Sequence, residues 1–599
     1  MRNRYGARLR FATARLALVF SLSLSVLSIG CRAERSDSSS KRSDGAPSEW
    51  FTERAQESGL DFVHFNGMSG RFLYPELMAP GVALFDYDND GDLDVFIVQG
   101  RMLGKTSVAD ARPQPPGGLP LKGRLFRNDL EIHADGSRTL RFTDVTEASG
   151  IVAQGYGMGV ATGDYNNDGC IDLYVTNLGR NQLFRNNCDG TFTDVSRESH
   201  TDESGWSVSA VFFDFDRDGW PDLFVGHYLK YTVEANLRCF AVSGSMDYCP
   251  PHVYDSEPSH LFHNNRDGTF TDVTIAAGMA RESGPTLGVS TADFNGDGWI
   301  DLFVANDSQQ NQLWINQRDG TFKNTALLSG VALSPEGAVK ANMGVDAGDF
   351  DNDGDEDLFI AELAGQGHDL YVNDGSGIFE DRSAHAGIRL ASLPFTGFGA
   401  GWLDVDNDGW LDMLTVNGAV TSSVEALARS EPFPLKQRKQ LFRNLRDGRF
   451  EDASKHAGAF FEVPEVSRGA AFGDIDNDGD TDVVVGTDAG PVRLLINEVG
   501  NRKHWVGLKL LDGGMKRDMV GARVALSRAD GLVIWRRARA DGSYASANDP
   551  RVLIGLGDSA QSPRVRVIWP DGRSEEWNSI PVDRYTTLKQ GGSRQQKPD

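Results

Sequence analysis

A nine-residue pattern, Asp-x-[Asp/Asn]-x-Asp-Gly-x-x-Asp, occurs seven times in the chain, and its chemistry is that of a calcium cage. The side-chain oxygens fall on Asp86, Asp88, Asp90 and Asp94 in the first loop, Asp164, Asn166, Asp168 and Asp172 in the second, and Asp214, Asp216, Asp218 and Asp222 in the third. The fourth offers Asp293, Asn295, Asp297 and Asp301, and the fifth Asp349, Asp351, Asp353 and Asp357. Asp404, Asp406, Asp408 and Asp412 make the sixth, and Asp474, Asp476, Asp478 and Asp482 the seventh. Positions 1, 3, 5 and 9 supply these oxygens, position 7 a backbone carbonyl, and Gly at position 6 the sharp turn, much as in the first part of an EF-hand loop. One such loop reads equally well as a solvated Asp/Gly turn; seven that agree at five positions do not. No Glu follows at position 12 in a helical context, and the flanks alternate as strands do, which argues against EF-hands. The ligand positions of the seven loops hold 26 carboxylates, enough to account for the formal charge of −25, and without cations they would repel one another. At a Kd of ~10⁻⁴ M, millimolar calcium stabilises each site by roughly 1.4 kcal/mol. Up to seven structural Ca²⁺ ions are therefore expected.

Two further patterns position the loops. A QLFRN-like strand recurs at Leu125, Leu183, Leu261, Leu313, Leu370, Leu441 and Leu494, and an FTDVT-like strand at Phe51, Phe142, Phe192, Phe270, Phe322, Phe379 and Phe450. Loop spacings of 50 to 79 residues are long for a solenoid unit and suit four-stranded propeller blades with insertions. Each repeat reads as a Gly-rich apolar strand, the acidic loop, an alternating strand such as Asp172–Thr176, and then the two motif strands. The first FTDVT-like strand precedes the first loop and none follows the last, so the N-terminal strand completes the seventh blade and removes a sheet edge. The predicted fold is all-β: a seven-bladed β-propeller over residues 50–500, closed by an N-terminal strand, with a small C-terminal β-sandwich-like domain over 501–590 and a disordered tail at 591–599.

The loops and their flanking strands resemble the FG-GAP/VCBS repeats of integrin α-subunit propellers and of many bacterial surface proteins. From His504 onward the acidic loops stop and residues 501–599 carry 18 Lys+Arg against 11 Asp+Glu. Gly521-Ala522-Arg523-Val524, the Ser543–Arg551 stretch, Gly555-Leu556-Gly557 and Ile568-Trp569-Pro570-Asp571-Gly572 resemble the ASPIC/UnbV domain, which follows FG-GAP repeats in proteins similar to cartilage acidic protein. The resemblance implies no accepted catalytic role. The basic surface of this part would bind acidic polymers, dock on the propeller, or simply be solvated.

The first 31 residues read as an export signal: Arg2, Arg4, Arg8, Arg10 and Arg15, then an apolar stretch from Leu16 to Gly30 too short to span a bilayer. Leu27-Ser28-Ile29-Gly30-Cys31 resembles a bacterial lipobox, with Ser28 where Leu is usual, so Cys31 is the expected lipidation site and residues 32–49 a flexible tether. A lipidated Cys31 leaves four cysteines. Pairing Thr176 with Gln182 in a hairpin puts Cys170 opposite Cys188, and Cys239 and Cys249 share one irregular segment, so two disulfides are expected. The competing reading makes Cys249, His252 and His227 a metal site.

Of 599 residues, 40% are hydrophobic and 24% charged, which excludes fibrous and wholly disordered classes, and the acidic balance disfavours nucleic acid as a partner. No HExxH, GxSxG, P-loop or Rossmann motif is present, and His260 and His263, three apart in a strand, point to opposite faces. No catalytic residue is assigned. Long insertions at Arg101–Arg124, Leu229–Ser259 and Ala419–Lys439 occupy one slot of the repeat, on the face opposite the calcium loops. Pro113, Pro115, Pro116, Tyr248, Pro250, Pro251, Tyr254, Pro432 and Pro434 would give them a preorganised surface. The expected function is an exported binding or adhesion module, membrane-attached through its lipid, with a protein or polysaccharide ligand on that face. The alternative is a periplasmic or surface enzyme acting on polysaccharide there.

Overall fold

The computed structural model describes residues 49–116, 120–241, 244–421, 435–514 and 516–593. Cys31, the predicted leader, nearly all of the predicted tether, Pro432, Pro434 and the end of the predicted tail lie outside the described residues. Among the described residues no helix is long and apolar enough to cross a membrane.

The protein is an all-β propeller. Its innermost strands, Val82–Phe85, Tyr156–Gly163, Ser204–Phe213, Thr286–Ala292, Val345–Gly348, Gly397–Leu403 and Ser467–Gly473, touch one another in that order, and the last touches the first. Each begins an antiparallel set of four, as in Thr286–Ala292, Asp301–Asn306, Gln312–Asn316 and Phe322–Asn324. The final set takes its outer strand from the other end of the chain: Phe51–Glu53 pairs with Arg493–Asn497, Phe51 opposite Asn497. The second strand of each set lies between two neighbouring sheets, so Asp301–Asn306 and Asp482–Thr487 are buried at every residue. The FTDVT-like motif ends its strand in a fixed way. Thr146 Oγ1 donates to Asp144 (2.6 Å) and accepts the N–H of Leu125 (2.9 Å), and Ser196, Thr274, Ser383 and Ser454 repeat this arrangement.

One detail of register differs from the prediction. Gln182 pairs with Val175 rather than Thr176. Thr176 lies at a bulge, where its hydroxyl takes the N–H of Gly159 (2.8 Å) and donates to Val208 O (2.6 Å). The strand therefore runs on to Arg180, and Arg180–Leu178 pairs with Ser204–Trp206, which fuses two neighbouring blades into one eight-stranded sheet.

The C-terminal part has two sheets around its own core. Val552–Gly557, His504–Leu511 and Tyr585–Lys589 form one, the last pair parallel; Val533–Arg537, Arg523–Ser527, Arg564–Ile568 and Ser574–Trp577 form the other. Val506, Leu508, Val524, Leu526, Ile554, Val567 and Trp569 pack between them.

Candidate functional site

Each acidic loop links an innermost strand to the strand beside it. Its first Asp organises the turn, with Asp164 accepting the N–H groups of Asp168 (3.0 Å) and Gly169 (2.9 Å) and Asp404 those of Asp408 (2.9 Å) and Gly409 (2.8 Å). Asp214, Asp293, Asp349 and Asp474 do the same, and Asp86 accepts from Gly91. The ninth-position residues Asp94, Asp172, Asp222, Asp301, Asp357, Asp412 and Asp482 open the next strand and are all buried. Each accepts, at 2.7–2.9 Å, the backbone N–H of the Asn that closes the QLFRN-like strand of the same blade.

That Asn also ties neighbouring blades together, a role its place in the QLFRN-like pattern does not announce. Its side chain crosses to the preceding blade: Asn186 Nδ2 donates to Tyr87 O (2.7 Å), Asn264 to Tyr165 O (2.8 Å), Asn316 to Phe215 O (2.7 Å) and Asn373 to Phe294 O (2.9 Å). Asn444 reaches Phe350 O (2.9 Å), Asn497 reaches Val405 O (2.9 Å), and Asn128 reaches Ile475 O (3.0 Å), closing the circle. Its recurrence at the same place in every QLFRN-like strand was the available signal.

The first-position carboxylates resist ionisation as they stand. Burial, reinforced by neighbouring carboxylates, pushes Asp164, Asp349 and Asp474 up to about 7 and Asp404 up to about 8. A divalent cation reverses such a cost. The loops are not equivalent, however. In the third, fourth and sixth, Arg266, Arg318 and Arg446 pair with the fifth-position Asp218 (2.6 Å), Asp297 (2.8 Å) and Asp408 (2.5 Å). In the second, the residue matching those arginines is Cys188, bridged to Cys170 (S–S 2.07 Å). Asn166 and Asn295 also donate to Asp168 (2.8 Å) and Asp297 (3.0 Å). The first, fifth and seventh loops lack an arginine or cysteine at that place. There Asp86 Oδ1, Asp88 Oδ1, Asp351 Oδ1, Asp357 Oδ2, Asp476 Oδ1 and Asp478 Oδ1 are buried without a hydrogen-bond partner. Arginines thus offset part of the expected repulsion in the third, fourth and sixth loops, while the buried, unpartnered ligand oxygens fall in the first, fifth and seventh.

The C-terminal domain covers this acidic face. Lys509 Nζ lies 3.6 Å from Asp86 Oδ2, and Arg523 Nη1 3.5 Å from Asp293 Oδ2. Arg551 donates to Asp474 O (2.8 Å) and Asn477 Oδ1 (2.7 Å), Arg536 to Gly409 O (3.2 Å), Arg528 to Asp408 O (3.2 Å) and Arg517 to Gly219 O. Tyr585 Oη donates to Asp474 Oδ2 (2.9 Å). Most of these donors end on carbonyls at the loop tips, which leaves carboxylate oxygens facing one another.

From this domain the segment 539–549 enters the central channel and meets every blade. Ala547 O and Ala545 O accept the N–H groups of Leu84 (3.0 Å) and Val160 (3.1 Å), Ala545 N donates to Ser209 Oγ (3.1 Å), and Asp541 accepts from Thr291 Oγ1 (2.8 Å). Ser543 O accepts from Val345 N (3.0 Å) and Asn548 Oδ1 from Phe472 N (3.0 Å), while the Tyr544 ring packs edge-on to Phe398 at 4.9 Å. The channel wall is built for this approach: a Cβ on Gly159 would lie 2.3 Å from Val208 O and 2.9 Å from Ala545 O.

At the other end of the channel the insertions fold inward. Leu103, Leu229, Tyr231, Tyr248 and Leu435, drawn from all three, pack with Leu73, Tyr74, Trp206 and Tyr228 in one buried cluster. Tyr248, expected at the surface, is buried and donates to Glu76 Oε2 (3.1 Å). Cys249 is bridged to Cys239, which removes the reading of Cys249, His252 and His227 as a metal site. That bridge closes a hairpin, Cys239–Phe240 with Met246–Asp247, which exposes Phe240 (64%) and Met246 (38%).

The sequence matches the FG-GAP-like repeat family over residues 164–225, 252–304, 293–360, 349–415 and 436–485, and the ASPIC and UnbV family over 513–595. It is 27% identical over 333 residues to cartilage acidic protein 1 of Mus musculus, covering 52% of this chain and 46% of the mouse protein. The Homo sapiens protein of that name is 26% identical over 333 residues, at 52% and 45% coverage. The chain thus spans about half the length of the curated relatives it matches. Among solved structures, BBS1N in complex with ARL6DN aligns with a TM-score of 0.37 at 9% identity, over 73% of this chain and 97% of that one. So loose a superposition adds nothing to the strand order. The chain belongs to the proteins that join FG-GAP-like repeats to an ASPIC and UnbV domain.

Proposed function

We propose that the protein is an exported, calcium-stabilised, seven-bladed binding or adhesion module that takes a protein or polysaccharide ligand on its insertion-bearing face. The observation that carries this is the position of the C-terminal domain. It occupies the acidic face, so the face left open is the one where the three insertions meet. The bridged hairpin supports the same side, because it holds Phe240 and Met246 in water on a covalently closed loop, and exposed apolar groups on a preorganised loop suit a partner. Calcium is supported by the buried, unpartnered oxygens of the first, fifth and seventh loops, which call for a cation such as the arginines supply in the third, fourth and sixth. The two disulfides suit an oxidising compartment, and Cys31 is the proposed attachment to the membrane. The test takes residues 36–599 in millimolar calcium against a panel of glycans and surface proteins, beside a variant carrying Phe240→Ser and Met246→Ser. Binding that is lost in the folded variant supports the reading. Equal binding by both, or turnover of a glycan, overturns it.

A further inference from the structure

His227 and His260 were unconnected in the sequence, and the fold brings them together with Glu203 at the insertion-bearing end of the third blade. His227 ends the strand Asp222–His227, His260 opens the strand His260–Asn264, and Glu203 immediately precedes Ser204–Phe213. The Nε2 atoms of both histidines face the same carboxylate, His227 at 3.2 Å from Glu203 Oε1 and His260 at 3.5 Å from Glu203 Oε2, with ring centroids 5.0 Å apart. Both Nδ1 atoms are turned to second carboxylates, His260 to Asp272 Oδ2 (2.8 Å) and His227 toward Glu257 Oε2 (3.8 Å).

We propose that Glu203, His227 and His260 form a site for a transition-metal dication of the zinc class, distinct from the acidic loops. Three physical points carry this. Ligand bonds of ~2.0–2.1 Å place the donors of a tetrahedral site about 3.3 Å apart, the spacing of these nitrogens from the Glu203 oxygens. The Asp272 carboxylate on Nδ1 of His260 fixes the tautomer that leaves its Nε2 free to ligate, the usual support of a metal-bound histidine. His227 is buried, 2% exposed, and its Nδ1 has no hydrogen-bond partner, which a carboxylate 3.8 Å away does not supply. A small movement onto a metal would tighten that contact. The backbone makes room as well: a Cβ on Gly205 would lie 2.8 Å from Glu257 Oε2 and 3.0 Å from His227 Cε1. Two imidazoles and one carboxylate favour zinc over calcium, and a fourth position is left for water. Glu257, in the second insertion, already accepts the N–H of Trp206 (3.1 Å), which holds that loop to the blade beside the site.

The experiment titrates Zn²⁺ into the calcium-saturated chain, with Co²⁺ as the spectroscopic probe. One tightly held equivalent and a visible Co²⁺ absorption band are expected. Both should be lost in His260→Ala and in Glu203→Gln, whose side chains are partly exposed and whose folding is checked by melting in calcium. Both should persist in His263→Ala, which borders the third acidic loop instead. No bound zinc in the presence of calcium would overturn the proposal, as would zinc binding that survives both Glu203→Gln and His260→Ala.

Discussion

Asn264 donates its backbone N–H to Asp222 Oδ1 and its Nδ2 to the carbonyls of Tyr165 (2.8 Å) and Pro221 (2.9 Å), and its Oδ1 accepts the N–H of Arg266 (2.9 Å). Tyr165 belongs to the acidic loop of the preceding blade, so one amide ties two blades together at the level of the loops. Asn264→Ala would strip two buried carbonyls of their donor, a cost of about 1–3 kcal/mol. The expected outcome is a lower urea midpoint for the calcium-loaded chain with an unchanged slope. Asn265→Ala, at an exposed neighbouring position, should shift stability by less than about 0.5 kcal/mol. Two residues further on, the chain solves one problem in two ways. Arg266, Arg318 and Arg446 stand in left-handed backbone and reach the loop's fifth-position Asp, while Cys188, in the same conformation, is bridged to the loop. A covalent tie there takes the place of an ion pair.

At the scale of the loop, these ties divide seven similar sequences into two kinds. Loops with an Arg or Cys partner carry no buried, unpartnered oxygen on their ligand residues, whereas the first, fifth and seventh do. Calcium titration is therefore expected to find about three stronger sites, together stabilising the chain by about 4 kcal/mol at millimolar calcium, and chelation should remove that increment from the unfolding free energy. Asp351→Asn in the fifth loop should weaken one strong site at least tenfold, whereas Asp297→Asn in the fourth should leave the strong sites untouched. Seven sites of equal affinity would refute the division. Much of this element was legible in sequence, because the acidic pattern, the strand ending in Asn and the strand ending in Asp-x-Thr are local and repeat. What escaped was set by contacts that no local pattern records. Thr176 is drawn into a bulge by the backbone of the next blade, and the sharing of carboxylates with Arg266 or Arg318 depends on a turn folding back across the blade. Tyr248 read as a surface residue because its loop is rich in Pro and Tyr, yet its hydroxyl finds Glu76, 172 residues away.

For the whole molecule, the charge reversal after His504 was visible, but not its target. The C-terminal domain places its basic side chains over the acidic loop tips and its segment 539–549 along the channel, in contact with every blade. Tyr544 is fully buried there, its hydroxyl on Met78 O (2.8 Å) and its ring against Phe398. The C-terminal domain cannot unfold without withdrawing this segment, and its withdrawal opens the middle of the propeller to water. The ring has no free end to fray from, since Phe51–Glu53 completes the last blade and Asn128 clasps the last to the first. Melting is therefore expected as one calorimetric transition covering both parts. Tyr544→Ala should lower that shared transition, at a cost of about 3–5 kcal/mol for a large buried aromatic, without splitting it. High salt should lower it only modestly, because the arginine contacts over the acidic face are part-buried and only partly screened, and the segment in the channel is buried. Two well-separated transitions in the unaltered chain would mean that the domains fold independently, and that contact between the C-terminal domain and the acidic face is too weak to reserve that face from a ligand.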